Sequence, residues 1–430
     1  MFKTFADAWK MPELRKKMLF VIMIIILYRL GAVIPVPFIS SDMLNFYLNQ
    51  AQGSIFQYFN ILSGQAFSKA TLFALSITPY INSSIIMQLL TIAIPALEKM
   101  QKSGEEGRKK ITQITRYVTV ALGLITSYGY YMYMRNAGVL TAEGRTLFGA
   151  VVIIACYSAG SALIMWMGEK INENGIGNGI SLILFANIVS GGLSMLQGTL
   201  RIASSGVIGI ILAILTLIGS LAIVTFVVFI TNSERRLPVQ YAKRVVGRKM
   251  YGGQSSNLPI KLNMSGVMPI IFANSIVALP STIAILFPAP KEGTFWFNLL
   301  NFLSYKSWFY ALMFFVLIIL FSFFYTSISF NPVEIANNLK SNGGFIPGIR
   351  PGKPTADYIT KILNRITLLG AIFLGIIAVA PLIVNLASNF ALGGIAFGGS
   401  SLLIVVGVAL ETAREIQAQM TLRHYKGFLE

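Results

Sequence analysis

Residues that could make or break covalent bonds are scarce in this chain. His424 is the only histidine and lies near the end of a charged tail, so no Ser-His-Asp set can form near the apolar runs. Cys156, the only cysteine, leaves no intrachain disulfide and no cysteine-based metal site. The carboxylates, Glu105 and Glu106 foremost, read as solvated loop residues among Lys and Arg. No HExxH or CxxC occurs. Gly175-Ile176-Gly177-Asn178-Gly179 looks like a phosphate-binding cluster, but no strand pattern precedes it and no GK[ST] comes after it. It reads as a tight turn leading into an apolar run, with Gly supplying unusual backbone angles. No enzyme activity, nucleotide site or cofactor is expected. Energy for any transport must then come from a partner or from the membrane potential.

The residues with chemistry left to offer are neutral amides within apolar runs: Asn82, Gln88, Asn187, Asn274 and Asn385. Such groups more often bond one helix to another than bind a substrate. A proton- or sodium-driven carrier usually holds Asp, Glu, His or Lys inside the bilayer as a relay. Here the apolar interiors are nearly free of charge, with Arg29 and Glu411 only near the ends of their runs. A passive conduit fits better than a driven carrier, and an apolar constriction that dewets could keep it from leaking.

The elements that must position these groups are transmembrane helices. Hydrophobic residues make up 55% of the 430 residues and charged residues 12%, where a soluble domain carries about 25%. A span needs about 20 mostly apolar residues. Ten segments qualify: 18–34, 71–94, 115–134, 147–167, 178–196, 207–230, 266–287, 308–330, 366–386 and 398–412. The first comes after a basic start, Lys3 to Lys17, and ends at Pro35 and Pro37 without a small-residue cleavage pattern, so it reads as a retained span.

Charge orients the spans. Of the 34 Lys and Arg, 26 lie in the N-terminus, the C-terminal tail and the loops after spans two, four, six and eight. The other five loops hold six. Both termini and the basic loops are therefore expected on the cytoplasmic side, which requires an even number of spans. Ten spans divide into two halves of five, 1–200 and 201–430, with opposite orientations, an arrangement that commonly encloses a path.

Two loops, 231–263 and 331–364, are too long for connectors and carry Gly, Pro and dense positive charge. They serve either as positive-inside anchors or as a docking surface for a cytoplasmic partner. The outer segment 55–69 is apolar yet too short to cross, so it reads as a re-entrant element broken at Ser63-Gly64.

Five stretches carry a resemblance to a known family: LFALSITPYINSSIIMQLL at 72–90, GEKINENGIGNGISL at 168–182, YAKRVVGRKMYGGQSSNLPIKLNMSGVMPIIFA at 241–273, FNPVEIANNLKSNGGFIPGIRPGKPT at 330–355 and FGGSSLLIVVGV at 397–408. Long, ordered and spread over nearly the whole chain, they resemble the SecY family of bacterial protein-translocation channels. Departures exist. Ser76 and Thr78 stand where the family commonly has Gly and Met, Asn82 where Ser is common, and SGQAF at 63–67 where Gly-Gly is usual.

The resemblance implies an all-α membrane protein of two pseudo-symmetric five-helix halves, translocating unfolded preproteins and releasing apolar segments sideways into lipid. It implies a waist of apolar side chains at Ile77, Ile81, Ile180, Leu184, Ile271 and Ile404, with Leu184 where Ile is commoner. It makes 55–69 a plug, with Phe59, Asn60, Ile61, Leu62, Ser63, Gly64, Gln65, Ala66 and Phe67 at its centre. A lateral gate would lie between spans two and three and spans seven and eight, with Gln88, Asn178 and Asn274 as its polar seam. Lys243, Arg244, Arg248, Lys249 and Arg350 would dock the SecA motor or the ribosome. Further implied partners are the small membrane subunits SecE and SecG, the preprotein with its signal sequence, and lipid.

Overall fold

The computed structural model describes residues 2–50, 60, 63–204, 206–241, 244–246, 249–251, 255–285, 294–304, 307–387 and 399–426. Each apolar run overlaps one helix, because a backbone surrounded by apolar side chains must satisfy its own hydrogen bonds. In chain order, α1 (Phe2–Lys10), α2 (Pro12–Gly31) and α3 (Ser41–Gln50) precede the turns that lead into α4 (Thr78–Ala93). Then come α5 (Pro95–Lys102), α6 (Glu105–Asn136), α7 (Leu147–Asn174), α8 (Gly179–Ala203) and α9 (Val207–Asn232). Strands β1 (Glu234–Tyr241), β2 (Arg244–Val246), β3 (Lys249–Tyr251) and β4 (Ser255–Lys261) lead to α10 (Met268–Ile285). The remainder is α11 (Phe295–Phe302), α12 (Trp308–Ser329), α13 (Pro332–Ser341), β5 (Gly344–Phe345), α14 (Lys353–Ala387) and α15 (Gly399–Lys426).

Side chains set several helix starts. Thr146 Oγ1 accepts from Gly149 N at 3.1 Å to open α7, and Asn331 Oδ1 accepts from Val333 N to open α13, with Pro332 in its first turn. Among the described residues, four helical stretches have the length and composition to cross a membrane: Leu147–Asn174, Gly209–Asn232, Trp308–Ser341 and Lys353–Val384. Thr78–Ala93 and Pro95–Lys102, bent by 100° at Ile94-Pro95, would together make a fifth. Shorter apolar stretches occur at Gly179–Gly192 and Met268–Pro280.

One apolar core joins α2, α4, α7, α8, α10, α12, α14 and α15. Helix α10 packs on α4, α6 and α12, while α8 packs on α7, α9 and α15. A second core gathers the 36–44 region, Phe67 and the ends of α6 and α7 around Tyr130 and Tyr157.

The two long basic loops fold together. β1 lies between β4 and β5, antiparallel to both, with Leu237 opposite Leu258 and Gln240 opposite Phe345. Leu237, Val239 and Ile260 pack with Ile346, Ile359 and Leu363 in a core of their own. The alternation Leu237-Pro238-Val239 puts the apolar residues on one face of β1, as a strand's period of two requires. Helix α14 begins at Lys353, so the second loop ends in helix well before the apolar run at 366.

Candidate functional site

All six expected waist residues belong to the central apolar core or pack against it. Ile77, Ile81, Leu184, Ile271 and Ile404 are all buried in the central core, and Ile180 is half-buried against it. They arrive from α4 and the turn before it, α8, α10 and α15. Ile77 ends a run of turns and its carbonyl accepts from Ile81 N at 3.0 Å, which places the two one helical turn apart. A Cβ added to Gly168 of α7 would sit 3.5 Å from Ile77 Cδ1, an ordinary van der Waals contact, so α7 packs beside that side chain.

Ahead of Ile77 the chain runs from Ser63 almost entirely as turns; the part of the expected re-entrant element before the break at Ser63-Gly64 lies, apart from Asn60, outside the described residues. Phe59, Ile61 and Leu62 lie outside the described residues. Asn60 anchors the first of these turns: its carbonyl accepts from Gln65 N at 2.8 Å, and its Oδ1 accepts from Ser68 N at 3.0 Å. Ser63 is buried and its Oγ accepts from Phe67 N at 3.0 Å. The Phe67 carbonyl accepts from the Tyr130 hydroxyl at 2.6 Å, and the two rings lie 4.5 Å apart. Gly64, Gln65, Ala70 and Ser76 all have positive φ. Gln65 and Ser76 thus carry side chains in a backbone region that favours Gly. At Ser76 the strain is offset by the buried Asn187, whose Nδ2 donates to Ser76 Oγ at 3.2 Å.

Of the expected gate residues, Gln88 reaches across the bundle. Its Oε1 accepts from the Tyr325 hydroxyl of α12 at 2.7 Å. Asn274 is buried on α10, and its Nδ2 finds no acceptor among the described residues. Asn178 turns inward on its own helix: Oδ1 accepts from Ile180 N at 3.0 Å and from Ser181 N at 3.4 Å, capping α8. Tyr325 escaped the reading of the sequence, because a Tyr in an aromatic-rich run carries no local sign of its partner.

The docking residues divide. Lys243 and Arg248 lie outside the described residues, while Arg244 and Lys249 fall on β2 and β3, which pair as a hairpin. Arg350 is exposed, between Gly348 at φ 81° and Gly352 at φ 100°. Its carbonyl accepts from Thr355 Oγ1 at 2.8 Å, which fixes the turn from below. At the base of the sheet, burial first and the nearby Arg414 charge second lower the pKa of Lys261.

One carboxylate corrects the expectation of solvated loops. Glu169 is buried and pairs with Arg116 of α6, with Oε2 to Nη2 at 2.8 Å and Oε1 to Nε at 3.1 Å. The second contact makes the pair bidentate.

Large apolar side chains such as Leu215, Leu221 and Phe229 cover the outside of α9. Apolar outer faces, a buried apolar centre and a basic sheet module with a core of its own define a helical membrane protein. A family model described as SecY matches residues 71–413. The protein translocase subunit SecY of Streptomyces lividans is 43% identical over the full length of both chains, and that of Mycobacterium tuberculosis H37Rv is 41% identical, also over both full lengths. The chain belongs to the SecY family. Its fold is similar to that of a solved protein-conducting channel, with a TM-score of 0.67 at 19% identity over 96% of each chain. A SecY channel whose plug domain stabilises the closed state and maintains a membrane seal matches with a TM-score of 0.65 at 19% identity over 96% of each. Canine Sec61 in a ribosome–channel complex matches at 0.63 and 17% identity over 96% of each.

Proposed function

We propose that this chain is the pore-forming, non-enzymatic subunit of a protein translocase. It passes unfolded preproteins across the cytoplasmic membrane and lets apolar segments leave sideways into lipid. The observation that supports this reading is that Ile77, Ile81, Leu184, Ile271 and Ile404 are all buried in one apolar core, with Ile180 packed against it. Residues that far apart in the chain, brought together without charge, make a barrier that water does not wet and that flexible aliphatic side chains can widen.

The other parts of the channel are arranged around that centre. Ten spans in two inverted halves, 1–200 and 201–430, with both termini cytoplasmic, are supported by the skew of Lys and Arg between alternate loops. The segment from about 55 to 69 acts as the plug, supported by the turns from Ser63 that seat Ala66 and Phe67 in two cores. The lateral gate runs along the packing of α10 against α4 and α6, with Gln88, Tyr325 and Asn274 at its seam. The sheet module, with Arg350 at an exposed tip, docks a motor ATPase of the SecA kind or a ribosome. SecE-like and SecG-like subunits complete the assembly in the membrane.

The test is a stalled preprotein. Photoreactive or thiol crosslinkers are placed at Ile81→Cys and Ile271→Cys in a Cys156→Ser background. Crosslinks from both positions to the stalled segment are expected, and export that proceeds with crosslinks only to lipid would overturn the reading.

A further inference from the structure

The guanidinium near the outer end of α2 is not solvated like a surface charge. Arg29 is half-buried, and its Nη2 donates to the carbonyl of Ala186 in α8 at 2.5 Å. Gly64 lies directly against it. A Cβ added to Gly64 would come within 2.9 Å of Arg29 Nη1, 3.0 Å of Nη2 and 3.1 Å of the Asn187 carbonyl oxygen. Gly64 is thus sandwiched between the guanidinium and the backbone of α8, at φ 61°, where a side chain would be strained as well as blocked. The chain beyond this turn is tied to α2 as well: Tyr28 stacks on Phe73 with ring centroids 5.3 Å apart, and Leu72 N donates to the Ile34 carbonyl, just past the helix end, at 2.9 Å.

From this geometry we infer that Arg29 is a latch: its guanidinium, held on the Ala186 carbonyl, keeps the Gly64 turn seated against α8 and so positions the segment that closes the outer side of the channel. The inference rests on the plug reading under Proposed function. The chemistry suits the task. A charge-assisted bond to a carbonyl is stronger than a neutral one and gains further where water is scarce. A planar guanidinium can also lie flat on a glycine while donating from its edge, which a Lys ammonium cannot do. Departure of the Gly64 turn would leave Arg29 on Ala186 with one flank bare, so the latch stays on the wall while the plug moves.

The test uses the full translocase complex in vesicles and planar bilayers, in a Cys156→Ser, Ala66→Cys background. Ala66 is 1% exposed, so a membrane-impermeant maleimide added from the outer side reads release of the segment. Arg29→Gln is expected to raise the labelling rate at least several-fold and to raise resting ion conductance. Arg29→Lys should recover part of both, since it restores one donor without the flat face. Parental labelling and conductance in Arg29→Gln would overturn the latch. Deletion of 60–67 in the parent separates the two readings through conductance. If deletion raises conductance and Arg29→Gln changes neither readout, the plug stands and the latch falls. If deletion leaves conductance unchanged, the plug reading falls, and the labelling rate alone decides whether Arg29 holds the turn.

Discussion

The Tyr325 hydroxyl donates to Gln88 Oε1 at 2.7 Å, joining α12 to α4 across residues 237 apart in the chain. It is a polar bond between two helices rich in apolar side chains. A single bond of this kind is readily broken, because its net contribution is about 1 kcal/mol.

Tyr325→Phe removes the donor and keeps the ring. Sideways release of an apolar segment into lipid should speed up by roughly fivefold, the kinetic equivalent of about 1 kcal/mol. Gln88→Leu should act likewise, and the double variant should add little to either single change. Fully additive effects, measured by crosslinking the segment to lipid over time, would show that the two residues do not act as a pair.

The apolar centre makes its own prediction. Ile81→Asn together with Ile271→Asn should raise resting conductance, because two amides inside the constriction let it hold water. Ile81→Val with Ile271→Val removes volume but no apolarity and should raise it far less. Single-channel recording separates the two pairs, and equal conductances would count against a dewetted barrier at these positions.

Arg350→Glu should abolish most preprotein export while the channel still inserts and assembles. The side chain is exposed on a turn fixed by Gly348, Gly352 and Thr355, so reversing its charge changes a contact surface and leaves the fold alone. Export assays in reconstituted vesicles check this, with wild-type rates as the outcome that sinks it.

Glu169→Gln should lower the melting temperature in detergent, since it strips a charge partner from Arg116 at a contact between α6 and α7. Arg116 keeps 44% of its side-chain surface exposed, so the loss should be about 1–2 kcal/mol, below that for a fully buried pair. Adding Arg116→Gln should recover part of it. A double variant as unstable as the sum of the singles would remove the pairing argument.

Much of this architecture was legible along the chain, and the reasons are local. Apolar runs place the helices because lipid demands self-satisfied backbones, and runs such as 207–230 and 308–330 meet α9 and α12 almost end to end. Where the reading failed, distant partners decided. The run from residue 71 begins as turns and becomes helix only at Thr78, since Ser76 takes φ 53° under the hold of Asn187, far along the chain. Helices α6 and α14 extend beyond their apolar runs through charged residues that water tolerates, and hydropathy is blind to that. Leu237 and Val239 had the alternation of a strand, but their core comes from residues in other segments, Ile260, Ile346, Ile359 and Leu363 among them. Glu169 sits among polar neighbours in sequence and is buried because Arg116 meets it from another helix.

The shared sheet has a mechanical consequence. β1 comes directly after α9, β4 leads within a few residues into α10, and β5 precedes α14, whose Gly370 leaves room for the Leu262 carbonyl beneath the sheet. Arg414 of α15 adds a strut, with Nη2 donating to the Thr231 carbonyl at 2.7 Å and to Asn232 Oδ1 at 2.8 Å. A load applied at the Arg350 tip therefore cannot be absorbed by one flexible arm. It is spread as torque to the ends of α9, α10 and α14 and, through Arg414, to the middle of α15; α10 carries Ile271 in its first turn, and α15 carries Ile404 about three turns from Arg414.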